Sequence, residues 1–216
     1  MVDRVVIIGD GGHARVLAES VGTEAVLAGH LAPAGSDRAH ELLGPRLGDD
    51  TQIRSLGRSG MRLVVGLGSV DRRTIGRRRD VLALVEADAH ATIVHRSAHV
   101  SSWATVAPGT FVAAGAIVGV GTRVGCGSIV NTGAIVDHDC DIGDNVHIAP
   151  GAVISGGVSI GSNSLVGVGS SIRQGIAIGP DAVIGAGSVV VHDVAAGATV
   201  FGVPARQQHR GFACTS

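Results

Sequence analysis

Every sixth residue from Val94 to Val190 is Val or Ile, seventeen times in succession and without an insertion or deletion. Four places after each stands a mostly small side chain: Ala98, Ala104, Thr110, Ala116, Thr122, Ser128, Ala134, Cys140, Ala152, Ser164, Ser170, Ala182 and Ser188. Glycine directly follows the aliphatic residue at positions 119, 125, 143, 161, 167, 179 and 185. A period of six fits neither a helix of 3.6 residues per turn nor the two-residue alternation of a plain strand. It calls for a chain that turns a corner every six residues and aims one aliphatic side chain inward on each flat, which is the signature of a parallel β-helix. Three hexads close a triangular coil, so the run winds about five and a half coils, stacked at about 4.8 Å. Val and Ile suit the flats because β-branched side chains pack well on pleated surfaces, and small residues keep a narrow prism uncrowded. The repeat itself leaves the hand of the coil open, and right-handed crossovers are the general default.

The composition agrees with a core of that kind. Hydrophobic residues make up 45% of the 216 but aromatics only 2%, with 34 Gly and no Tyr, so Val, Ile and Ala must fill the interior. A formal net charge of −1 gives no global electrostatic case for nucleic acid. Cys126, Cys140 and Cys214 show no paired spacing, which argues against a disulfide framework and suits a reducing compartment. No apolar stretch approaches transmembrane length, and a strand rather than a signal peptide is expected after Met1. A soluble cytoplasmic protein without membrane insertion is the expectation.

The first ninety residues obey another grammar. Residues 4–8 read as a buried parallel strand, Gly9-Asp10-Gly11-Gly12-His13 as a glycine-rich turn, and 14–21 as a helix. Further strands are expected at 25–28 and 62–65, the latter ending in Gly66-Leu67-Gly68, with another helix within 71–87. Strands alternating with helices predict a small Rossmann-like parallel sheet over 1–90, its crevice at the carboxyl ends of the strands, followed by the β-helix and a C-terminal tail over 91–216. The Gly9-x-Gly11-Gly12 turn has two readings: backbone N–H groups approaching a phosphate at a helix N-terminus, or a tight structural turn. It departs from the full dinucleotide fingerprint, because Ala14 stands where the last glycine belongs. The cluster Arg72-Arg73-x-x-x-Arg77-Arg78-Arg79 spreads around a helix and reads as a solvated face, with phosphate steering the alternative.

Among ten His, His138 and His147 sit inside the hexads, nine residues apart. His138 lies two places after an inward Val136 and so projects outward, flanked by Asp137 and Asp139. A carboxylate on one ring nitrogen fixes the tautomer and raises the basicity of the other, as a general base requires. The rival for His138-Asp139-Cys140 is a metal site. Adjacent strand residues point to opposite faces, however, and Cys140 occupies the small inward place of its hexad, so core packing is the expectation there and no metal is called for.

The segment Asn131-Thr132-Gly133-Ala134-Ile135-Val136-Asp137-His138-Asp139-Cys140-Asp141-Ile142-Gly143 resembles the N-T-x-A-x-I-[DE]-H-[DE]-C-x-I-G stretch of hexapeptide-repeat acyltransferases. The order of a short α/β unit with a Gly-Gly-His turn, then hexads, resembles the sugar-nucleotide acetyltransferases of bacterial glycan pathways. Those act on UDP-4-amino sugars and GDP-perosamine, with sialic-acid O-acetyltransferases as relatives. The resemblance implies a left-handed β-helix, a homotrimer, acetyl-CoA as co-substrate, a nucleotide-sugar acceptor and no metal. It implies His138 as the base, Asp139 as the carboxylate that raises its basicity, and Asn131 as a polar group positioning acceptor or base. His147 would contact acetyl-CoA, with Val168 and Ala186 beside the pantetheine arm; Gly11, Gly12, His13 and Gly68 would contact the nucleotide sugar. A backbone N–H near Gly156-Gly157 would face the oxyanion. Phe201-Gly202-Val203-Pro204-Ala205-Arg206 resembles the usual exit from the repeat, and Arg206 or Arg173 would meet the CoA phosphates or remain solvated. One departure stands out: the acidic pair that usually follows the second strand is replaced by Ala28-Gly29-His30, where His30 either substitutes for a contact or sits in a solvated loop. The expected product is an N-acetyl sugar, with O-acetylation of sialic acid or another glycan precursor, and a non-catalytic β-helix scaffold, as the alternatives.

Overall fold

A computed structural model describes residues 3–22, 25–36 and 40–207. Cys214 lies outside the described residues. The chain opens with an α/β unit: β1 (Asp3–Ile8), α1 (Gly12–Ser20), β2 (Ala25–Leu31), β3 (Arg46–Gly48), α2 (Ile53–Arg58), β4 (Arg62–Val65) and α3 (Arg72–Leu82). The four strands form a parallel sheet in the order β3-β2-β1-β4. Val6, Ile8, Leu63 and Val65 point to one side and pack under Ile53, Val81 and Val85, whereas Val5, Ile7 and Val64 point to the other and meet Leu17.

Seventeen two-residue strands follow, β5 (Ile93–Val94) to β21 (Val189–Val190), each ending on one of the predicted aliphatic residues. Every strand pairs in parallel with the one eighteen residues away, as Ile129 does with Phe111 and His147. The small residues face inward too: Ala116, Thr122, Ser128, Ala134, Cys140, Ser164 and Ser188 are all buried. Their hydroxyls are satisfied across coils. Thr122 Oγ1 donates to Asp137 O at 2.6 Å and accepts from Cys140 N at 3.1 Å, and Ser128 repeats the pattern with Gly143 O and Val146 N. At the open first coil Val94 stays 45% exposed, because nothing lies beneath it.

The residue preceding each inward one faces outward and gives each side of the prism its character. The docking face carries Ile93, Phe111, Ile129, His147, Leu165 and Val183, and the α/β unit covers it: Val5, Leu17 and Val64 share a core with Ile93, Phe111 and Ile129. A second face, the apolar one, carries His99, Ile117, Ile135, Val153, Ser171 and Val189. The third is polar, with Thr105, Arg123, Asp141, Ser159 and Ala177, and an Arg123–Asp141 ion pair at 3.1 Å bridges neighbouring strands. β22 (Thr199–Phe201) ends the docking face and β23 (Arg206–Gln207) folds back antiparallel on it.

Two expectations are corrected here. The second strand runs on to Leu31, so His30 is a strand residue only 3% exposed and not part of a solvated loop. The arginine helix is not a purely solvated face either. Arg78 is 1% exposed, and its guanidinium donates to Leu67 O at 3.0 Å, Asn145 Oδ1 at 2.8 Å and Gly127 O, tying the α/β unit to two corners of the β-helix. Burial lowers its pKa to about 10, so the group stays cationic at neutral pH.

Candidate active site

His138 stands on the edge where the apolar face turns into the polar one, between β12 (Ile135–Val136) and β13 (Asp141–Ile142). Its Nδ1–H donates to Asp139 Oδ2 at 2.9 Å, and its backbone N–H donates to Asp137 Oδ1 at 2.8 Å. The hydrogen bond to Asp139 raises the imidazole pKa above its usual value, and the Asp137 and Asp139 charges add to it. With Nδ1 committed, the Nε2 lone pair is the free one, and the side chain is 46% exposed. Asp139 holds a left-handed backbone, φ 56°, where the equivalent corners carry Gly121 and Gly157. Asp and Asn tolerate this conformation better than other side chains, and Asn145, Asn163 and Asp181 adopt it at other corners.

The neighbouring rungs make room for the pair. A Cβ on Gly156 would overlap the His138 ring, Nε2 first, and one on Gly121 would meet Asp139 Oδ1. Gly156→Ala should therefore leave the fold and assembly intact, because the displaced ring is exposed, yet cut turnover by about tenfold or more through misplacement of the base. Wild-type turnover in that variant, with an unaltered unfolding midpoint, would show that Nε2 need not lie over Gly156. Cys140 is core: it is 1% exposed, its thiol donates to Ser155 O at 3.3 Å, and burial pushes its pKa up. The Gly157 N–H donates to His138 O at 2.9 Å and so is not free for an oxyanion.

The glycine-rich turn lies at the carboxyl end of β1. Gly9, Asp10, Gly11, Gly12, His13, Gly66, Leu67 and Gly68 line a cleft of about 630 Å³. A Cβ on Gly11 would meet nothing and one on Gly12 only the end of Arg15, so the backbone here opens to the cleft, whereas Gly68 is pressed against His13. Carboxylates of Asp10 and Asp50 also line it, on elements other than the loop after β2.

His147 sits where the cleft loop meets the docking face. It is 6% exposed; Nδ1–H donates to Ser69 O at 2.9 Å, which fixes the tautomer, and Nε2 accepts from Asn131 Nδ2 at 3.0 Å. The amide orientation is set by Thr132 N–H, which donates to Asn131 Oδ1 at 2.8 Å. Burial first, then the nearby Arg78 charge, lowers the His147 pKa to about 4; His13, whose ring lies 6.2 Å from it, falls to about 3 through burial first, then His147 and Arg78. Both are neutral at neutral pH.

Asn131 is thus brought to His147 and not to His138. Asn131, Val168 and Ala186 share the edge between docking and apolar faces, while His138 and Asp139 hold the opposite edge of the apolar face. Among the described residues no three His, Cys, Asp or Glu side chains converge as a metal would need.

Residues 121–156 match the bacterial transferase hexapeptide family (six repeats). Perosamine N-acetyltransferase from Caulobacter crescentus, solved as a histidine mutant with CoA and GDP-perosamine, is 35% identical, with 97% of this chain and 98% of that chain covered and a TM-score of 0.84. The chain belongs to the hexapeptide-repeat sugar acetyltransferases. Like them, it winds a left-handed parallel β-helix behind a small parallel sheet. Another member, the acetyltransferase domain of PglB from Neisseria gonorrhoeae, solved with acetyl coenzyme A, is 33% identical over 95% of this chain and 98% of its own, with a TM-score of 0.80. WeeI from Acinetobacter baumannii, at 22% identity and a TM-score of 0.73, shares the fold. A search of curated proteins finds no match. No helix among the described residues of this acetyltransferase is long and apolar enough to cross a membrane.

Proposed function

We propose that the chain transfers the acetyl group of acetyl-CoA to the amine of a nucleotide-linked amino sugar, with His138 as general base. The observation that carries this is an exposed imidazole with Nδ1 clamped to Asp139, Nε2 free, and glycine cleared from the rung beside it. The acceptor amine, neutral as it attacks, bonds to the thioester carbonyl carbon while Nε2 takes its proton. The tetrahedral intermediate then expels the CoA thiolate, which recovers that proton, leaving an amide and CoA. Gly156 N–H, which no described residue accepts, is the donor suited to the oxyanion. An amine needs only a modest base, whereas a sugar hydroxyl would call for a stronger one or a tighter oxyanion site, and this favours nitrogen.

The same reading makes the active site intermolecular. In one chain the base lies across the apolar face from Asn131, Val168 and Ala186 and from the cleft next to them. Exposed Trp103, Ile117, Val120, Val153 and Val168 all belong to the apolar face or its two edges. Closing three copies around that face sets the His138 edge of one against the opposite edge of the next, completing three sites by symmetry. The cleft over residues 1–90 then holds the nucleotide sugar through Gly11, Gly12, His13 and Gly68. Val168 and Ala186 flank the pantetheine arm; His147 supports that edge through Asn131, and Arg173 and Arg206 lie toward the CoA phosphates.

The deciding experiment follows thiol release from acetyl-CoA with UDP-, GDP- and dTDP-linked amino sugars, then exposes the product to mild alkali. Release with one of these acceptors and an alkali-stable acetyl group are expected. An acetyl group lost to alkali is an ester and would replace nitrogen by oxygen, and no release with any amino sugar would end the reading.

A further inference from the structure

Trp103 is the chain's one tryptophan, and at 80% exposure it is the largest apolar side chain left in solvent. It lies on the edge that carries His138. Gly121 N–H donates to Trp103 O at 3.3 Å and Asp139 N–H to Val120 O at 2.9 Å, so Val120 stands one rung before His138 in its column and Trp103 two rungs before it, one place along the same corner. At about 4.8 Å per rung the indole is rooted about 10 Å from the base, a span that a sugar ring and the indole's own length cover together. Val120, between them, is 52% exposed.

The base therefore stands between two unlike surfaces. On the rung beyond it Gly156 is buried against the His138 ring and the exposed Gly157 carries no side chain, which suits a slender arm; the rungs before it offer a broad apolar shelf. The height of the cleft says which substrate meets the shelf. His13 lies 5.6 Å from Phe111 and 6.2 Å from His147, which places the cleft beside the second to fourth rungs of the docking face. A neighbouring copy at the same height would deliver its acceptor past Trp103 and Val120 toward His138. An aromatic face is a large apolar surface with a negative quadrupole, to which the C–H bonds on one side of a pyranose are complementary.

We propose that Trp103, with Val120 beside it, is the platform on which the acceptor's sugar ring stacks. The inference rests on the acceptor and base assigned above. Because the chain has no Tyr, emission excited in the indole band comes from Trp103 alone. Titrating the whole enzyme with the nucleotide-linked amino sugar that it acetylates should shift or quench this emission, whereas the matching nucleoside diphosphate and CoA should not. Trp103→Ala should raise the acceptor KM about tenfold or more and leave the CoA KM unchanged, with Trp103→Phe restoring most of the loss. Unchanged acceptor KM in Trp103→Ala, emission that follows CoA alone, or dissociation of the assembly by that substitution would each overturn the platform. In all three cases wild-type acetylation persists; absence of any acetylation by the wild-type enzyme would instead remove the underlying reading.

Discussion

Replacing His138 by Ala is expected to lower turnover by about 10²–10⁴-fold, the range for loss of a positioned general base. Both Michaelis constants should change little, because the imidazole acts on a proton that moves only in the transition state. The pH profile gives a second readout. The base works only when neutral, and its pKa is raised, first by the Asp139 hydrogen bond and then by the Asp137 and Asp139 charges. The acid limb of kcat/KM should thus have its midpoint above the ordinary histidine value of about 6.5. Asp139→Asn removes the larger cause, so the limb should move to lower pH while the plateau falls, since a weaker base with an unfixed tautomer remains. Near-normal turnover in His138→Ala, or an acid limb that ignores Asp139→Asn, would send the assignment elsewhere.

Acid should loosen the junction between sheet and prism well before it reaches the carboxylates. His13 and His147 have folded pKa values of about 3 and about 4, both below the value near 6.5 of an unfolded chain. A depressed histidine is neutral in the fold and takes up its proton on unfolding. The stability it lends is therefore complete above the unfolded pKa and is lost as pH falls from there toward the folded value. Between pH 7 and 5 each contributes a loss of about 2 kcal/mol, so the pair costs about 4 kcal/mol, with His90, lowered mainly by burial, acting in the same direction. His138 works in the opposite sense but on an exposed edge. Asp49 and Asp71, held below the usual carboxylate range by bonds from Thr51 and Thr74, enter only at lower pH. Denaturant unfolding at fixed protein concentration should show this slope, and His147→Asn, which can keep the bond to Ser69 O, should remove about half of it. A flat stability between pH 7 and 5 would mean that both rings are protonated without penalty in the fold.

The sequence announced the β-helix almost completely, because a six-residue period leaves few other ways to bury one aliphatic residue per hexad. All seventeen strands end where the period puts them. The α/β unit was legible where strands are continuous apolar runs, as at β4 (Arg62–Val65), and illegible where they are not. β3 is three residues with no alternation, and α2 is six residues containing Ser55 and Gly57, too short for a periodic signal. Burial of Arg78 could not be read locally, since its partners Gly127 and Asn145 lie 49 and 67 residues away. The division of the candidate residues between two edges is legible in the spacing. Counting modulo eighteen puts Asn131 one place before Val168 and Ala186, and His138 in step with Val120, Gly156 and, one place off, Trp103. Nine residues separate His138 from His147, and half a coil is a change of face.

That arithmetic makes the prism a ruler that can be lengthened only in certain units. Each rung repeats after eighteen residues, and the hydrophobic pattern repeats after six. One added hexad between His138 and Val168 would preserve every inward Val and Ile, and every hydrogen bond of the ladder would find a partner. It would also turn all later residues by a third of a revolution, carrying Val168 and Ala186 off the edge they share with Asn131. Drift in this chain is thus quantised twice: steps of six are silent to folding and ruinous to the proposed groove, and only whole coils are neutral to both. A lineage can shed or gain length at the ends of the prism, but between His138 and the edge proposed for the cofactor its spacing is held by geometry that stability alone would never enforce.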